Sequence, residues 1–215
     1  MKIAVLGGTG PEGLGIAARL AAAGEEVVIG SRDPARAASA ATTIASEVAG
    51  ARMHGARNCD AAAAGEAVVV AIPAEGIDGL LQECAQALDG KVVLEVMNAI
   101  RVEHGVFRVA HTAGNGVAAR IAARAPGARV VSGLKHESAA QLRALGRRLE
   151  GDVLLCGDDE DAKGVVAGLV RRMPDLRPID AGGRAVAPLL DEVTALLLNL
   201  NRRHHVKTSL RIVGL

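Results

Sequence analysis

Residues 2–13 read KIAVLGGTGPEG, a short apolar strand that runs directly into glycines at positions 8, 10 and 13. The Gly-x-Gly-x-x-Gly spacing lets the backbone turn tightly and approach a pyrophosphate, whose negative charge is favoured by the free N–H groups and the dipole of the next helix. An Ala- and Leu-rich stretch follows, and then a second predicted strand at 26–30. This order of strand, glycine turn, helix and strand predicts a βαβ dinucleotide-binding unit.

The end of the second strand predicts which dinucleotide binds. An NAD site places an acidic residue there to bind the ribose 2′-OH, whereas this chain has Ser31 and Arg32, with Arg36 one helical turn later. A carboxylate would repel a 2′-phosphate, while a hydroxyl and two guanidinium groups would bind it. We therefore predict NADP(H). The alternative is an ordinary glycine turn beside two solvated arginines.

The same glycines also fit Gly7-x-x-Gly10-x-x-Gly13, which is the spacing of the extended short-chain reductases. Those enzymes use a tyrosine with a nearby lysine as their proton donor, and this chain contains no tyrosine. The sequence therefore excludes that chemistry.

Strand and helix patterns alternate along the rest of the chain. Continuous apolar runs such as 68–72 are typical of strands buried on both faces, so they predict a Rossmann-like, doubly wound parallel sheet of the α/β class. Further strands are predicted at 51–54, 67–72, 91–96, 128–132, 152–156 and 177–180, and helices near 11–23, 33–48, 58–64, 76–88, 115–124, 137–148, 159–172 and 185–203. A glycine pair at 182–183 suggests a boundary between an NADP-binding domain, 1–180, and a small C-terminal helical extension, 181–215, that completes the substrate site or a dimer contact.

The composition predicts a compact, soluble enzyme of the cytoplasm. A formal net charge of +1 gives no general attraction to nucleic acid or membranes, and the apolar run 193–200 is too short to span a bilayer. The N-terminus enters the first strand directly, which leaves no room for a signal peptide. Cys59, Cys84 and Cys156 match neither a disulfide framework nor a zinc-ligand spacing, so we interpret all three as core residues in a reducing compartment.

Three later strand ends carry further candidate site residues, because ligands of such sheets bind at the carboxyl ends of the strands. Ile72 and Pro73 end the fourth strand and would form an edge against which a nicotinamide could lie. Asn98 follows the fifth strand and is either a ligand-binding amide or an ordinary turn residue. Lys135 and His136 follow the sixth strand and are the catalytic candidates. They are either proton partners tuned by burial or part of a solvated loop.

Two charged runs have simple structural explanations. The acidic run 158–161 is interpreted as the start of a helix, where carboxylates stabilise exposed N–H groups, and no metal site is predicted. The basic run 201–208, with Arg211 after it, is either a cationic helix end that complements the helix dipole or a rim that attracts an anionic ligand.

Taken together, these motifs resemble the F420H2:NADP oxidoreductase family, also called NADPH-dependent F420 reductases. The resemblance rests on the glycine turn, the strand end at 30–32, Ile72-Pro73, and residues 156–159, 176–182 and 201–212, and it covers essentially the whole chain. It implies a Rossmann-like fold, a homodimer, and hydride transfer between C4 of the nicotinamide of NADP(H) and C5 of the deazaflavin coenzyme F420. By position, the resemblance implies that the pyrophosphate is held by Gly8, Thr9, Gly10, Pro11, Glu12 and Gly13. It implies that the 2′-phosphate is held by Ser31, Arg32 and Arg36. The residues that it places near the two rings are Ile72, Asn98 and Ala139.

Two departures from the family pattern concern the second substrate. Many relatives have a histidine where this chain has Lys135, and residues 101–104 are charged where the family is apolar. One alternative function is therefore NADPH-dependent reduction of another acceptor, such as a flavin, a ferric chelate or an imine. A non-enzymatic NADPH-sensing protein is the other alternative.

Overall fold

The computed structural model describes residues 1–110 and 116–215. Ten strands lie in these ranges: β1 Lys2–Leu6, β2 Glu26–Ser31, β3 Arg52–Arg57, β4 Ala67–Val70, β5 Val92–Glu95, β6 Ile100–Glu103, β7 Val106–Val109, β8 Arg129–Ser132, β9 Gly151–Gly157 and β10 Leu176–Asp180. Eight of them form one sheet in the order β10-β9-β8-β5-β4-β1-β2-β3. The chain reverses its direction of travel across the sheet after β3, which places a ligand crevice at the carboxyl end of β1.

Helices cover both faces of this sheet. The α-helices of the described residues are α1 Pro11–Ala22, α2 Pro34–Glu47, α3 Asn58–Ala64, α4 Ile77–Cys84, α5 Gly116–Arg124, α6 Ala139–Arg143, α7 Glu160–Arg171 and α8 Ala187–His204, with 3₁₀ turns at Ala74–Gly76, Ala85–Leu88 and Arg184–Val186. The predicted helix 115–124 begins at a residue outside the described ranges. Within those ranges, no helix combines the length and the apolar character needed to cross a membrane.

Alternation along the strands divides the core between the two faces. In β1, Ile3 and Val5 belong to the apolar cluster on one face of the sheet, while Ala4 and Leu6 belong to the cluster on the other. All four are fully buried, as expected for a strand at the centre of a two-sided sheet. The predicted α/β class with a mostly parallel sheet is therefore confirmed.

The direction of the last two sheet strands corrects the expectation of a wholly parallel sheet. β9 pairs antiparallel with β8, and β10 runs parallel to β9.

The helix predicted at 137–148 is reduced to α6, because this segment is held on α1. The Arg19 guanidinium in α1 donates to the carbonyl groups of four residues in the segment, namely Gln141, Leu142, Ala144 and Arg147. The chain therefore returns to the sheet without a full crossover.

The hairpin of β6 and β7 was not among the predicted strands. β6 alternates apolar and charged residues, and the turn between the two strands places His104 and Gly105 at positive φ values of 48° and 78°. That turn chemistry is typical of tight hairpins and was the signal available in the sequence. The hairpin is fastened to α8, because Asn199 accepts from the Phe107 N–H at 3.0 Å and donates to the Phe107 carbonyl at 2.9 Å.

The interpretation of the cysteines was wrong for two of the three. Cys59 and Cys84 form a disulfide between α3 and the end of α4, with their Cα atoms 4.9 Å apart. Only the packing of the two helices creates this proximity, since 25 residues separate the cysteines in the sequence. Cys156 is a buried free thiol in β9, as predicted, and burial raises its pKa to about 11.

Candidate functional site

The glycine turn after β1 is closely packed against neighbouring backbone. A Cβ atom on Gly8 would lie 2.7 Å from the Val5 carbonyl oxygen, and one on Gly13 would lie 2.7 Å from the Gly7 carbonyl oxygen. Neither position therefore tolerates a side chain. Hydrogen bonds from the Gly8 N–H to the carbonyl oxygens of Val5 at 3.2 Å and Gly30 at 3.0 Å fix the turn against the ends of β1 and β2.

The first turn of α1 leaves its N–H groups available to an anion. Gly10 is the N-cap residue and provides no side chain to cap the helix, and Pro11 occupies the first turn. Asn58 supports the turn from α3, where its Oδ1 accepts from the Gly7 N–H at 3.2 Å. Nothing in the sequence assigns Asn58 to this site, because two strands separate it from the glycine turn along the chain. A helix N-terminus of this kind favours a pyrophosphate by charge and by hydrogen bonding.

The carboxyl end of β2 presents the predicted phosphate-binding set. Ser31 is buried, and its Oγ accepts from the Asp33 N–H at 3.2 Å. The Asp33 carboxylate caps α2 by accepting from the N–H groups of Ala35 and Arg36, so it serves the helix rather than a ribose hydroxyl. Arg32 and Arg36 are exposed, and no ion pair within residues 1–110 and 116–215 engages their guanidinium groups. These two cations remain available to an anionic ligand.

A cavity lies beside the glycine turn, between the loops that follow β5 and β8 and the C-terminal helix α8. Its volume is about 620 Å³, which is within the range of small-molecule sites. Glu12 of α1, Asn98, residues 135–139 and the 206–208 tail line it. Since Glu12 belongs both to the first turn of α1 and to the cavity wall, the dinucleotide turn and the cavity are contiguous.

Four polar atoms without partners are concentrated in this cavity wall. Among the described residues, the buried side-chain polar atoms that lack a hydrogen-bond partner are Glu12 Oε1, Asn98 Oδ1, His136 Nδ1 and Glu137 Oε1, and all four residues line the cavity. Buried polar groups in folded proteins are otherwise almost always satisfied. A polar ligand in the cavity would supply the missing partners.

Asn98 is oriented by the loop that follows β8. Its Nδ2 donates to the Lys135 carbonyl at 2.6 Å, which leaves its Oδ1 as the atom without a partner. The amide is therefore positioned to accept a hydrogen bond from a ligand, and its binding of a ligand stays a prediction.

Lys135 does not lie in a solvated loop, which corrects one of the two alternatives drawn from the sequence, and its role as a proton partner stays a prediction. It is buried, and its Nζ donates to the Met97 carbonyl at 2.7 Å and contacts Asp191 Oδ1 at 2.8 Å and Glu95 Oε1 at 3.1 Å. Burial by itself would lower the pKa of this ammonium, but the two carboxylates raise it above its ordinary value. Lys135 therefore stays charged and serves as the centre of a buried ion cluster, and its charge is already engaged within the protein.

The two carboxylates of this cluster come from distant elements. Glu95 ends β5, and it also accepts from the Met97 N–H at 2.9 Å and from the Ser132 hydroxyl at 2.8 Å. Asp191 lies on α8. Burial raises the pKa values of both carboxyls, against the opposing effect of Lys135. The cluster connects three elements: β5, α8 and the loop that follows β8. It thereby holds these elements together at the base of the cavity.

His136 is held as a neutral ring. Its Nε2 lies 2.7 Å from the Asp152 carbonyl oxygen, so Nε2 carries the hydrogen and Nδ1 is a free acceptor. Burial lowers the pKa of His136, against the opposing effect of Asp152. Asp152 is itself tied to Arg177 and to the Ile212 N–H of the C-terminal tail, so the tail supports the orientation of this ring.

Glu12 and Glu137 bring two carboxyl groups to the same cavity. Burial, and in second place the neighbouring Glu137, raise the pKa of Glu12 to about 8. Burial raises the pKa of Glu137 to about 7. Glu12 was predicted only as a pyrophosphate-binding residue. Glu137 belongs to the segment 133–139, which was predicted to line the deazaflavin slot, but it was given no role of its own because an isolated glutamate in a loop gives no signal in the sequence.

The remaining predicted residues surround these two regions. Ile72 packs against the glycine turn, since its Cγ2 would lie 2.5 Å from a Cβ on Gly7. Pro73 precedes the 3₁₀ turn Ala74–Gly76, Ala139 begins α6 at the cavity edge, and Thr9 lines a smaller depression beside Arg36. The structure places all of them near the turn or the cavity, and their ligand contacts remain predictions.

The basic run is divided between the cavity and the surface. Arg202 and Lys207 line the cavity, and Arg202 donates to the Gly105 carbonyl at 2.6 Å. Arg203, His204 and His205 are exposed at the end of α8. The acidic run also has its expected place, because Asp159 caps α7 by accepting from the Ala162 N–H at 2.8 Å.

Comparison with known proteins gives consistent results. The sequence profile of the family described as NADP oxidoreductase, coenzyme F420-dependent, matches residues 2–99. The F420-dependent NADP reductase of Methanothermobacter marburgensis is 36% identical over all of this chain and 99% of its own length, and that of Methanocaldococcus jannaschii is 33% identical over all of this chain and 99% of its own. A solved structure from Arthrobacter sp. FB24, described as a candidate F420-dependent NADP reductase, superposes with a TM-score of 0.84 at 28% identity and full coverage of both chains.

Proposed function

The chain belongs to the coenzyme F420-dependent NADP oxidoreductase family, and on that premise we propose that it binds NADP(H) at the glycine turn and F420 in the cavity beside it. The reaction is hydride transfer between C4 of the nicotinamide and C5 of the deazaflavin. The observation that carries this assignment of sites is the contiguity of the turn and the cavity at Glu12.

Direct hydride transfer requires the two reacting carbons to be held about 3–3.5 Å apart, and positioning of this kind can supply much of the rate. The β2 end and α1 would hold the dinucleotide by its phosphates, which directs the nicotinamide toward Ile72 and the cavity. The chain has no tyrosine or tryptophan, so Phe107 and the aliphatic side chains of the cavity would hold the deazaflavin ring, together with the Asn98 amide and the acceptors without partners. Arg202 and Lys207 at the cavity would attract the anionic tail of F420.

Turnover of F420 is the direct test of this function. We expect the purified protein to reduce F420 with NADPH and to oxidise F420H2 with NADP⁺, followed by the visible absorbance of the deazaflavin. Rates should fall as salt is added, because the contacts with the F420 tail are electrostatic. A folded protein that binds NADPH but turns over F420 in neither direction would refute the assignment. NADPH oxidation with a flavin, a ferric chelate or an imine would then identify a different acceptor.

We further propose that two copies of the chain associate through α8 and the hairpin. Four large apolar residues are exposed on these neighbouring elements: Val102, Val106, Leu189 and Leu196, with exposed fractions between 40% and 60%. Leu189 and Leu196 are seven residues apart and therefore share one face of α8. Exposed apolar residues grouped on neighbouring elements are typical of a subunit interface.

Light scattering tests the proposed dimer. The wild type should have twice the mass of the chain, and L189E together with L196E should yield monomers, because two carboxylates would be desolvated at the contact. V213E is the control, since Val213 is exposed in the tail and belongs to neither α8 nor the hairpin. A monomeric wild type would contradict the proposal.

We also propose a cytoplasmic location, which is supported by the dependence of the reaction on NADP(H). Disulfides are uncommon in that compartment, and the Cys59–Cys84 bond is an exception to that pattern. Cell fractionation followed by immunoblotting should recover the protein with cytoplasmic markers, and recovery in another fraction would contradict this location.

A further inference from the structure

The reaction proposed above releases a proton, and no residue has yet been assigned to accept it. Reduced deazaflavin carries a hydrogen on N1 and two on C5, so its oxidation by NADP⁺ delivers a hydride from C5 and a proton from N1. A basic group held beside N1 takes up such a proton by general base catalysis.

Among the groups lining the cavity, the carboxyls of Glu12 and Glu137 are the candidates that can carry it. Each has a buried oxygen, Oε1, without a hydrogen-bond partner, and both side chains line the cavity. Two carboxylates that are buried close together are poorly tolerated when both are charged. Such a pair therefore holds a proton readily and exchanges it with whatever occupies the cavity.

We propose, on the premise of the proposed function, that Glu137 accepts the N1 proton of the reduced deazaflavin and that the neighbouring Glu12 shares this proton. In this step the C5–H bond of F420H2 breaks with its electron pair and the C4–H bond of NADPH forms. The N1–H bond of the deazaflavin breaks and an O–H bond of Glu137 forms. After the products leave, the carboxyl pair releases the proton to solvent. The reverse reaction runs through the same groups with the proton returned to N1.

The charged and titratable groups around Glu137 are consistent with this role. His136 Nε2 lies 3.8 Å from Glu137 Oε1, Glu12 faces the same space from α1, and Arg202 and Lys207 face it from α8 and the tail. The Lys135 charge is compensated by its own two carboxylates. With a pKa of about 7 for Glu137 and about 8 for Glu12, the pair takes up and releases protons around neutral pH.

His136 is the competing acceptor, and its hydrogen bonds argue against it. Its Nε2 already donates to the Asp152 carbonyl, so a proton on Nδ1 would create a buried cation. Burial lowers the pKa of this ring. We therefore assign His136 Nδ1 as a hydrogen-bond acceptor that orients the ligand.

The test compares E137Q with a matched control, E150Q, in steady-state kinetics. Glutamine keeps the shape of the side chain but cannot accept the proton, so kcat/KM for F420H2 oxidation should fall by at least about a hundredfold. The reverse reaction should fall by the same factor, because a substitution cannot change the overall equilibrium. Glu150 is exposed, and its replacement should leave both rates unchanged. NADP binding should be retained in E137Q, and E137D should recover part of the rate.

The pH profile gives a second kinetic readout. Wild-type F420H2 oxidation should rise as pH increases toward about 7 to 8, where Glu137 becomes a free base, and E137Q should lose this dependence. A folded, NADP-binding E137Q protein with wild-type rates in both directions would overturn the proposal while leaving the proposed function intact. A wild-type protein that never turns over F420 would instead refute the proposed function and, with it, the assignment of the N1 proton.

A measurement without F420 completes the test. In protein labelled with ¹³C at the glutamate carboxyl groups, the Glu137 and Glu12 resonances are assigned by their absence in E137Q and E12Q, which separates them from the buried Glu95. Both should titrate near neutral pH, whereas ordinary glutamates titrate at about pH 4.3. If both assigned resonances titrate below about pH 5.5, the carboxyl pair does not hold a proton and the proposal fails.

Discussion

Replacing Lys135 by methionine is expected to lower the free energy of unfolding by about 3–5 kcal/mol, which is the usual cost of removing one partner from a buried ion pair. The substitution retains most of the side-chain volume but leaves Glu95 and Asp191 without their shared cation. All three residues are at most 4% exposed, so water cannot replace the lost contact. Urea unfolding followed by circular dichroism measures the difference.

The loss should depend on pH in a defined direction. Burial already raises the pKa values of Glu95 and Asp191, and removal of Lys135 should raise them further. A carboxyl whose folded pKa lies above its unfolded value destabilises the protein as pH rises past the unfolded value, about 4. The deficit of K135M should therefore be largest at neutral pH and shrink as pH falls toward 4.

Two further variants separate the loss of charge pairing from the loss of packing. The triple variant K135M/E95Q/D191N removes all three charges, and it should recover much of the lost stability. In this variant a glutamine at position 95 can still accept from the Met97 N–H and donate to Ser132. On the surface, R148M removes an exposed ion pair with Asp175 and should cost less than about 1 kcal/mol. Equal losses of unfolding free energy for K135M and R148M would show that the buried cluster stabilises the protein no more than an exposed ion pair does.

The sequence predicted the parts of this fold that depend on local chemistry. The strand, glycine turn and helix of residues 1–36 are specified by residues within one βαβ unit, and the structure contains each of them at the predicted place. Asp159 likewise caps α7 through a contact three residues away. Such short-range patterns can be interpreted without knowing where the rest of the chain lies.

The features that escaped prediction depend on distant parts of the chain. Lys135 was interpreted from its loop alone, whereas its partners Glu95 and Asp191 lie 40 and 56 positions away. The disulfide of Cys59 and Cys84 and the direction of β9 also follow from how elements pack. The cavity is the clearest case, because α1, two strand-end loops and α8 each contribute to it. No single stretch of sequence contains enough of that surface to reveal it.

NADP is expected to bind at least tenfold more tightly than NAD, a difference of about 1.4 kcal/mol that charge-assisted contacts to a phosphate readily provide. The structure supports the expected mechanism, because Asp33 is committed to capping α2 and so does not act as the ribose-binding acid of an NAD site. Arg32 and Arg36 are exposed beside the buried Ser31, where a 2′-phosphate would find them.

The double variant R32A/R36A should therefore weaken NADP binding by about a hundredfold, because each hydrogen-bonded charge contact contributes roughly 1.5 kcal/mol. NAD binding should stay nearly unchanged. Added salt should weaken the binding of NADP to the wild type more than that of NAD, because only NADP carries the additional phosphate. R129A is the control, since Arg129 is exposed at the start of β8. Isothermal titration calorimetry with NADP and with NAD gives the affinities of the wild type, R32A/R36A and R129A. Equal losses of NADP and NAD affinity in R32A/R36A would show that these arginines support the fold of the turn, and the discrimination would then have to come from another part of the site.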